Sequence, residues 1–303
     1  MTLTVEVAGG TWSVPSQRGT SALTGPQQAT VVPHPAGPRA VVPEDGVHCH
    51  LLGPLRVVLD GAEVHLNGAK ERTVLAALLL HAGHVLDDHR LMQLLWDLNP
   101  PATSNAQIHS YVWRLRRKLG AGVTIHRQSS GYRLDARTAR TDLDEFGVLT
   151  STAHHELAEA RHEQAASTFR RALALWRGPA LPDVTRFLAD KVVPRWEEVR
   201  MAALEGRINA DLALGRSAML VPELTSLVVE FPYREVLRAQ LMAALYLGHR
   251  RVDALEVFHT GRRILVDEMG VDPGPALRGT HLVVLGDRSR AELLRACSGA
   301  ARS

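Results

Sequence analysis

Between Ser110 and Gly120 the chain reads SYVWRLRRKLG, which places four cations, Arg114, Arg116, Arg117 and Lys118, around a helical apolar ladder. Ile108, Val112, Leu115 and Leu119 fall at i, i+4, i+7 and i+11, the spacing of one buried helix stripe. From Leu98 to Leu134 there is no Asp or Glu, while Arg127 and Arg133 add further positive charge. A solvated helix face ordinarily mixes signs for i,i+4 pairing, so this span is built to meet an anion. The uncharged polar and aromatic residues Asn105, Gln107, His109, Ser110 and Trp113 stand where base edges are read. Arg114, Arg116, Arg117 and Lys118 divide between groove and phosphates.

The elements around this helix have the order of a winged helix-turn-helix. HCHLLGPLRVVLDGAEVHL alternates apolar and polar residues on either side of Asp60-Gly61, a tight-hairpin dipeptide. AKERTVLAALLLHAG repeats apolar residues at helical spacing and stops at Gly83. A second helix starts at an Asp87 or Asp88 cap and runs to Trp96, before the Asn99-Pro100-Pro101 break. The basic helix follows from a Thr103 or Ser104 cap. VTIHRQSSGYRL then predicts two short strands about a polar turn at Gln128-Ser129-Ser130-Gly131, which reaches the minor groove or its phosphates.

Beyond Asp142 the sequence is continuously helical, punctuated at Gly178-Pro179, Pro182, Pro194, Gly215, Pro222, Pro232 and Gly248. LEGRINADLALGR (204–216) and LRAQLMAALYLGHR (237–250) align at an offset of 33, within a residue of the tetratricopeptide period. A pair near 142–160 and 163–176 supplies an earlier unit. The expected organisation is a disordered arm at 1–46, a winged-helix DNA-binding domain at 47–137, a tetratricopeptide-like domain at 141–290 and a flexible tail at 291–303. The fold class is mainly α with small β-sheets.

Other function classes find little support. With 303 residues, 45% of them apolar, and a formal charge of +3, the chain can bury a core but has only a weak overall field, so charge distribution decides the partner. Two cysteines far apart suit a reducing cytoplasm. No stretch reaches an 18-residue apolar run and no basic start leads into an apolar leader, so no membrane contact is expected. His48-Cys49-His50 alternates faces on a strand and lacks a second ligand pair, so no metal is expected. Asn67-Gly68-Ala69-Lys70 lacks the spacing of a phosphate-cradling loop, and no cofactor is expected. Glu197-Glu198 and Asp87-Asp88 are explained by a helix face and a cap, and no nucleophile–base pair stands out, so the chain reads as no enzyme. Trp96, Trp176 and Trp196 are expected in packing.

Residues 47–290 resemble the Streptomyces antibiotic regulatory proteins, an OmpR-type winged helix joined to a bacterial transcriptional activator domain. The resemblance rests on Leu75–Gly83, LMQLLWDLNPPATS (91–104), SYVWRLRRKLG (110–120), GYRL (131–134), RRALALWRGPAL (170–181), LALGR (212–216), LRAQLMAALYLGHR (237–250) and DEMGVDPGPALR (267–278). It implies a short-form, cytoplasmic transcriptional activator of a secondary-metabolite gene cluster. Such a protein binds direct repeats in double-stranded DNA, self-associates there and recruits RNA polymerase holoenzyme. By position, the recognition helix is Ser104–Leu119 and the wing carries Arg127, Tyr132 and Arg133. The loop around Asp97, Leu98, Asn99, Pro100 and Pro101 resembles a polymerase-contacting surface. Gln128 stands where relatives commonly have a wing arginine. The alternative is a tetratricopeptide-like protein-interaction module with a degenerate DNA-binding domain, which predicts weak, salt-insensitive association with DNA.

Overall fold

The computed structural model describes residues 46–135 and 139–298. The arm expected at 1–46 therefore lies outside the described residues except for Gly46. The winged half opens with β1 (Val47–His50), β2 (Arg56–Leu59) and β3 (Ala62–Glu63). Asp60 and Gly61 both take positive φ, as the turn between β2 and β3 requires. Next come α1 (Gly68–Leu80), β4 (Val85–Asp87), α2 (Asp88–Trp96) and α3 (Ser104–Leu119). The Asp87 side chain accepts from the Arg90 amide at 2.7 Å, capping α2 as the sequence predicts. The wing is β5 (Ile125–Gln128) and β6 (Gly131–Leu134), and β7 (Ala139–Thr141) leads out of this half.

Both sheets are larger than the sequence suggests. The first has the order β3-β2-β1-β7, with β7 parallel to β1, and the second has the order β4-β6-β5. The added strands β4 and β7 have three residues each, too short to show a period-2 pattern, and pair with partners distant in sequence.

The remaining chain is helical: α4 (Asp142–Ala158), α5 (His162–Leu173), α6 (Arg186–Ala213), α7 (Ser217–Glu230), α8 (Glu235–Leu247), α9 (Arg251–Met269), α10 (Pro275–Leu285) and α11 (Arg290–Cys297). Consecutive helices stack in a tetratricopeptide-like array, α4 on α5, α5 on α6, α7 on α8 and α8 on α9. Ala210 and Ala243, equivalent in the 33-residue repeat, are both fully buried. Two details depart from the expectation. Pro194 and Pro222 lie inside α6 and α7 and do not end them, because a proline removes one N–H and packing on both sides holds the helix. The first part of the tail expected at 291–303 belongs to helix α11, started by a Ser289–Glu292 capping box and anchored by buried Leu293 and Cys297, and residues 299–303 lie outside the described residues. Burial pushes the Cys297 thiol up to about 12, so it packs as a small apolar group.

The apolar interior does not divide where the chain changes character. One core runs from the winged half through Phe146, Phe169 and Trp176 to Leu188 and Trp196, and a second runs from Met201 through α7–α11. The 28-residue α6, about 42 Å long at 1.5 Å per residue, contributes to both. Gly206 on α6 allows Phe169 of α5 close against it, since a Cβ there would meet the phenyl ring at 2.5 Å.

Polar bonds tie the winged half to the helices behind it. Asp142, the first residue of α4, is buried and accepts from the Leu51 and Leu52 amides at 2.6 and 3.2 Å and from Arg177 at 3.3 Å. Asp183 accepts from the Leu55 amide at 3.0 Å and pairs with Arg72 at 3.1 Å. The Thr185 amide donates to Thr73 Oγ1 at 2.8 Å, and the Thr185 hydroxyl donates to the Leu94 carbonyl at 2.5 Å. These bonds satisfy buried backbone groups of the loop after β1 and of α2, so α1 and α2 are seated directly on the segment that enters α6.

Candidate nucleic-acid interface

The third helix is held by its predicted stripe. Ile108, Val112, Leu115 and Leu119 are buried, and α3 packs on α1 and α2. That packing turns Asn105, Ala106, His109, Ser110, Trp113, Arg116 and Arg117 outward, with Gln107, Arg114 and Lys118 half-buried on its flanks. Formal charge is unevenly placed along this face. Cations begin at Arg114, so the first ten residues, nearly three turns, carry none, and the last turn gathers Arg116, Arg117 and Lys118 beside the negative end of the helix dipole.

Two residues of the expected DNA-binding set do not present their side chains outward. Ser104 is only 7% exposed, because it opens α3 against α2 with its hydroxyl 3.5 Å from Met92 Sδ. Tyr132 is 3% exposed beneath the wing, where the His109 ring meets its edge at 6.1 Å and the Arg127 guanidinium lies 4.7 Å over it. Burial pushes the Tyr132 phenol above its ordinary value of 10, so it stays neutral and serves as a platform.

The cations differ in how much of their charge is free. Lys118 pairs with Glu71 of α1, whose carboxylate is fully buried, and Arg114 Nε lies 3.8 Å from the same carboxylate. Arg116 reaches across to the wing and donates to the Ile125 carbonyl at 2.9 and 2.6 Å. Arg127 makes a bidentate pair with Asp88 at the start of α2, at 2.7 Å for both bonds, and that hydrogen bonding pushes the guanidinium pKa above its ordinary value. Arg117 stacks over Trp113 at 5.1 Å, and Arg133 is exposed on the wing. Gln128 is half-buried at the end of β5.

Glu71 and Asp88 are the functional neighbours that the acid-free span hides, since both lie outside it. Glu71 carries a signal in the sequence: it sits on the same stripe as Val74, Leu75 and Leu78, and a carboxylate at a buried position needs a cation. Asp88 carries none, because an acidic residue in a first helical turn is ordinary.

The loop between α2 and α3 is exposed from Asp97 to Pro100. Asp97 has φ of 59°, and Leu98 is 82% exposed. The chain turns outward here after Trp96, whose ring lies under the Lys70 ammonium at 4.8 Å. Trp176 and Trp196 are buried in the first core. Among the described residues no group of acidic, histidine or cysteine side chains is arranged to hold a metal. Among them, too, no helix is long and apolar enough to cross a membrane.

Residues 61–134 match the family described as "Transcriptional regulatory protein, C terminal", and residues 141–285 match the "Bacterial transcriptional activator domain". Regulatory protein DnrI of Streptomyces peucetius is 36% identical over 251 residues, which cover 78% of this chain and 91% of DnrI. Transcriptional regulatory protein EmbR of Mycobacterium tuberculosis is 36% identical over 241 residues, 78% of this chain and 62% of EmbR, so the chain spans less than two thirds of that relative's length. AfsR of Streptomyces coelicolor is 37% identical over 245 residues, but these are only 25% of its length. Among solved structures, EmbR in complex with a low-affinity phosphopeptide superposes with a TM-score of 0.77 and 34% identity, covering 84% of this chain and 69% of that one.

Proposed function

Because the chain belongs to the Streptomyces antibiotic regulatory protein family of transcriptional activators, we propose that α3 enters the major groove of double-stranded DNA upstream of a secondary-metabolite gene cluster. The observation that carries this reading is the outward face of α3, charge-poor over its first turns and cationic over its last. Asn105, Gln107, His109, Ser110 and Trp113 meet base edges, while Arg114 and Arg117 meet phosphates, and Arg127 and Arg133 bring the wing to the adjacent backbone. Arg116 and Lys118 act mainly by fixing α3 to the wing and to α1. Ser104 and Tyr132 act from beneath the surface, as helix start and wing platform. The exposed loop Asp97–Pro101 is the surface offered to RNA polymerase holoenzyme, and the helical half supports self-association on direct repeats. The protein works in the cytoplasm as a regulator and carries out no chemical step of its own.

The test is selection of genomic DNA fragments by the purified full chain at about 150 mM salt, which weakens non-specific phosphate binding. The expected product is tandem short repeats at helical-turn spacing ahead of genes. Arg114→Ala with Arg117→Ala keeps the helical circular dichroism, lowers affinity at least tenfold and reduces the salt slope by about two, roughly one per phosphate lost. Unchanged affinity and slope would remove α3 from the interface and favour an interaction module.

A second expected outcome comes from the wing. Asp88→Asn releases the Arg127 guanidinium from its bidentate partner. Affinity for the selected DNA rises at low salt, and the logarithmic salt slope steepens by about 0.9, one phosphate contact. Fluorescence anisotropy across a salt series reads both. A slope identical to that of the parent chain would mean that the Asp88 pair does not hold Arg127 back from a phosphate.

A further inference from the structure

We propose that Trp113 reads a thymine, its indole together with His109 and Ser110 forming the seat for the C5-methyl group and neighbouring O4, with Arg114 bordering it on a phosphate; this rests on the DNA-binding reading above. These four side chains line a shallow depression on the outward face of α3. Trp113 is 57% exposed there, on a helix whose other large apolar side chains are buried or half-buried.

The depression is held in shape before anything binds. Helical side chains lean toward the N-terminus, so the indole lies over the turn that carries His109 and Ser110. On its other side the Arg117 guanidinium stacks at 5.1 Å. The His109 ring is set by its edge contact with buried Tyr132, and Arg114 Nε donates to the Ser110 carbonyl at 3.3 Å. A walled, exposed aromatic between polar side chains loses little freedom when it is covered.

The chemistry of the groove selects the base. An indole offers an apolar surface and one N–H donor, with no acceptor. In the major groove, thymine is the base whose edge combines an apolar group, the C5-methyl, with an acceptor, O4. Guanine offers acceptors alone, adenine pairs an acceptor with a donor, and cytosine presents a donor. Of the four lining side chains only Arg114 carries a formal charge, so the surface made by His109, Ser110 and Trp113 has little pull on phosphate and is suited to a base edge.

The experiment uses the full chain and the duplex it enriches from a randomised DNA library. Each thymine of that duplex is replaced in turn by deoxyuridine, which keeps the pairing and O4 and removes only the methyl group. At one thymine position in each bound repeat, the unsubstituted protein weakens about fourfold, the worth of one buried methyl, about 0.8 kcal/mol. Trp113→Ala binds the thymine and deoxyuridine duplexes equally, whereas Trp113→Phe, which keeps an apolar ring, retains the difference. An enriched sequence with no methyl-sensitive position, or sensitivity unchanged in Trp113→Ala, overturns the thymine seat and leaves DNA binding standing. Failure to enrich any sequence removes the DNA-binding reading and this proposal with it.

Discussion

Asp142→Ala destabilises the protein by about 3–5 kcal/mol, the cost of breaking a buried charge network by removing one partner. The carboxylate accepts from the Leu51 and Leu52 amides and from Arg177, and His50 Nδ1 lies 3.6 Å away. Alanine leaves two buried N–H groups without an acceptor, and these cannot turn to water without opening the loop after β1. Asp142→Asn keeps an acceptor and the volume, so it loses less. Urea unfolding followed by tryptophan fluorescence reads the difference, and a change under 1 kcal/mol for the alanine variant would show that the joint is not fastened here. The same carboxylate makes stability depend on pH. Burial by itself raises its pKa, but the neighbouring His50 ring and hydrogen bonds from the two amides outweigh burial and hold the carboxyl below its ordinary value of 3.8. A group depressed on folding contributes stability above its unfolded value and loses that contribution as pH falls through the folded value. Acid unfolding between neutral pH and the region below 3.8 is therefore steeper at its low end in the parent chain than in Asp142→Asn.

Gly131→Ala is expected to unmake the wing. A Cβ on Gly131 would lie 2.6 Å from the Asp87 Cα and nearer still to the Leu86 carbonyl oxygen. Both obstacles are backbone of β4, which pairs Asp87 with Gly131, so no side chain can swing aside to make room. Relief requires β4 and β6 to separate, with a cost of about 3 kcal/mol, the upper end for overpacking. Hydrogen exchange should accelerate across β4, β5 and β6 while α7–α10 remain protected, because those helices belong to the second core. With β5 loosened, Arg116 loses its Ile125 carbonyl partner, and DNA affinity falls alongside wing stability. Normal protection of β6 in this variant would refute the close approach of the two strands.

Both variants act at places that the sequence shows only in part. Asp142 reads as an ordinary acidic residue opening a helix, and its partners Leu51 and Leu52 lie some 90 positions earlier. Gly131 reads as turn punctuation, whereas its smallness matters because a three-residue strand from the start of α2 passes over it. By contrast, the stripe of α3, the Asp87 cap, the Asp60-Gly61 turn and the 33-residue repeat of α6 and α8 are patterns within a single element or its immediate copy.

The sequence by itself determined the local order: which segments of the winged half are helices, which face of α3 is apolar, that cations concentrate at 114–118, and that a winged half precedes a repeated helical one. These follow from periodicity and capping, which act over a few residues. Only the tertiary structure decided which cations keep their charge free for a partner. Glu71 lies 47 residues from Lys118 and Asp88 lies 39 from Arg127, yet packing of α1 and α2 beneath α3 and the wing brings each carboxylate against its cation. Pairing over such separations is fixed by how helices and strands stack, and charge counting along the chain has no access to it because electrostatic interaction falls with distance in space, whatever the separation in sequence.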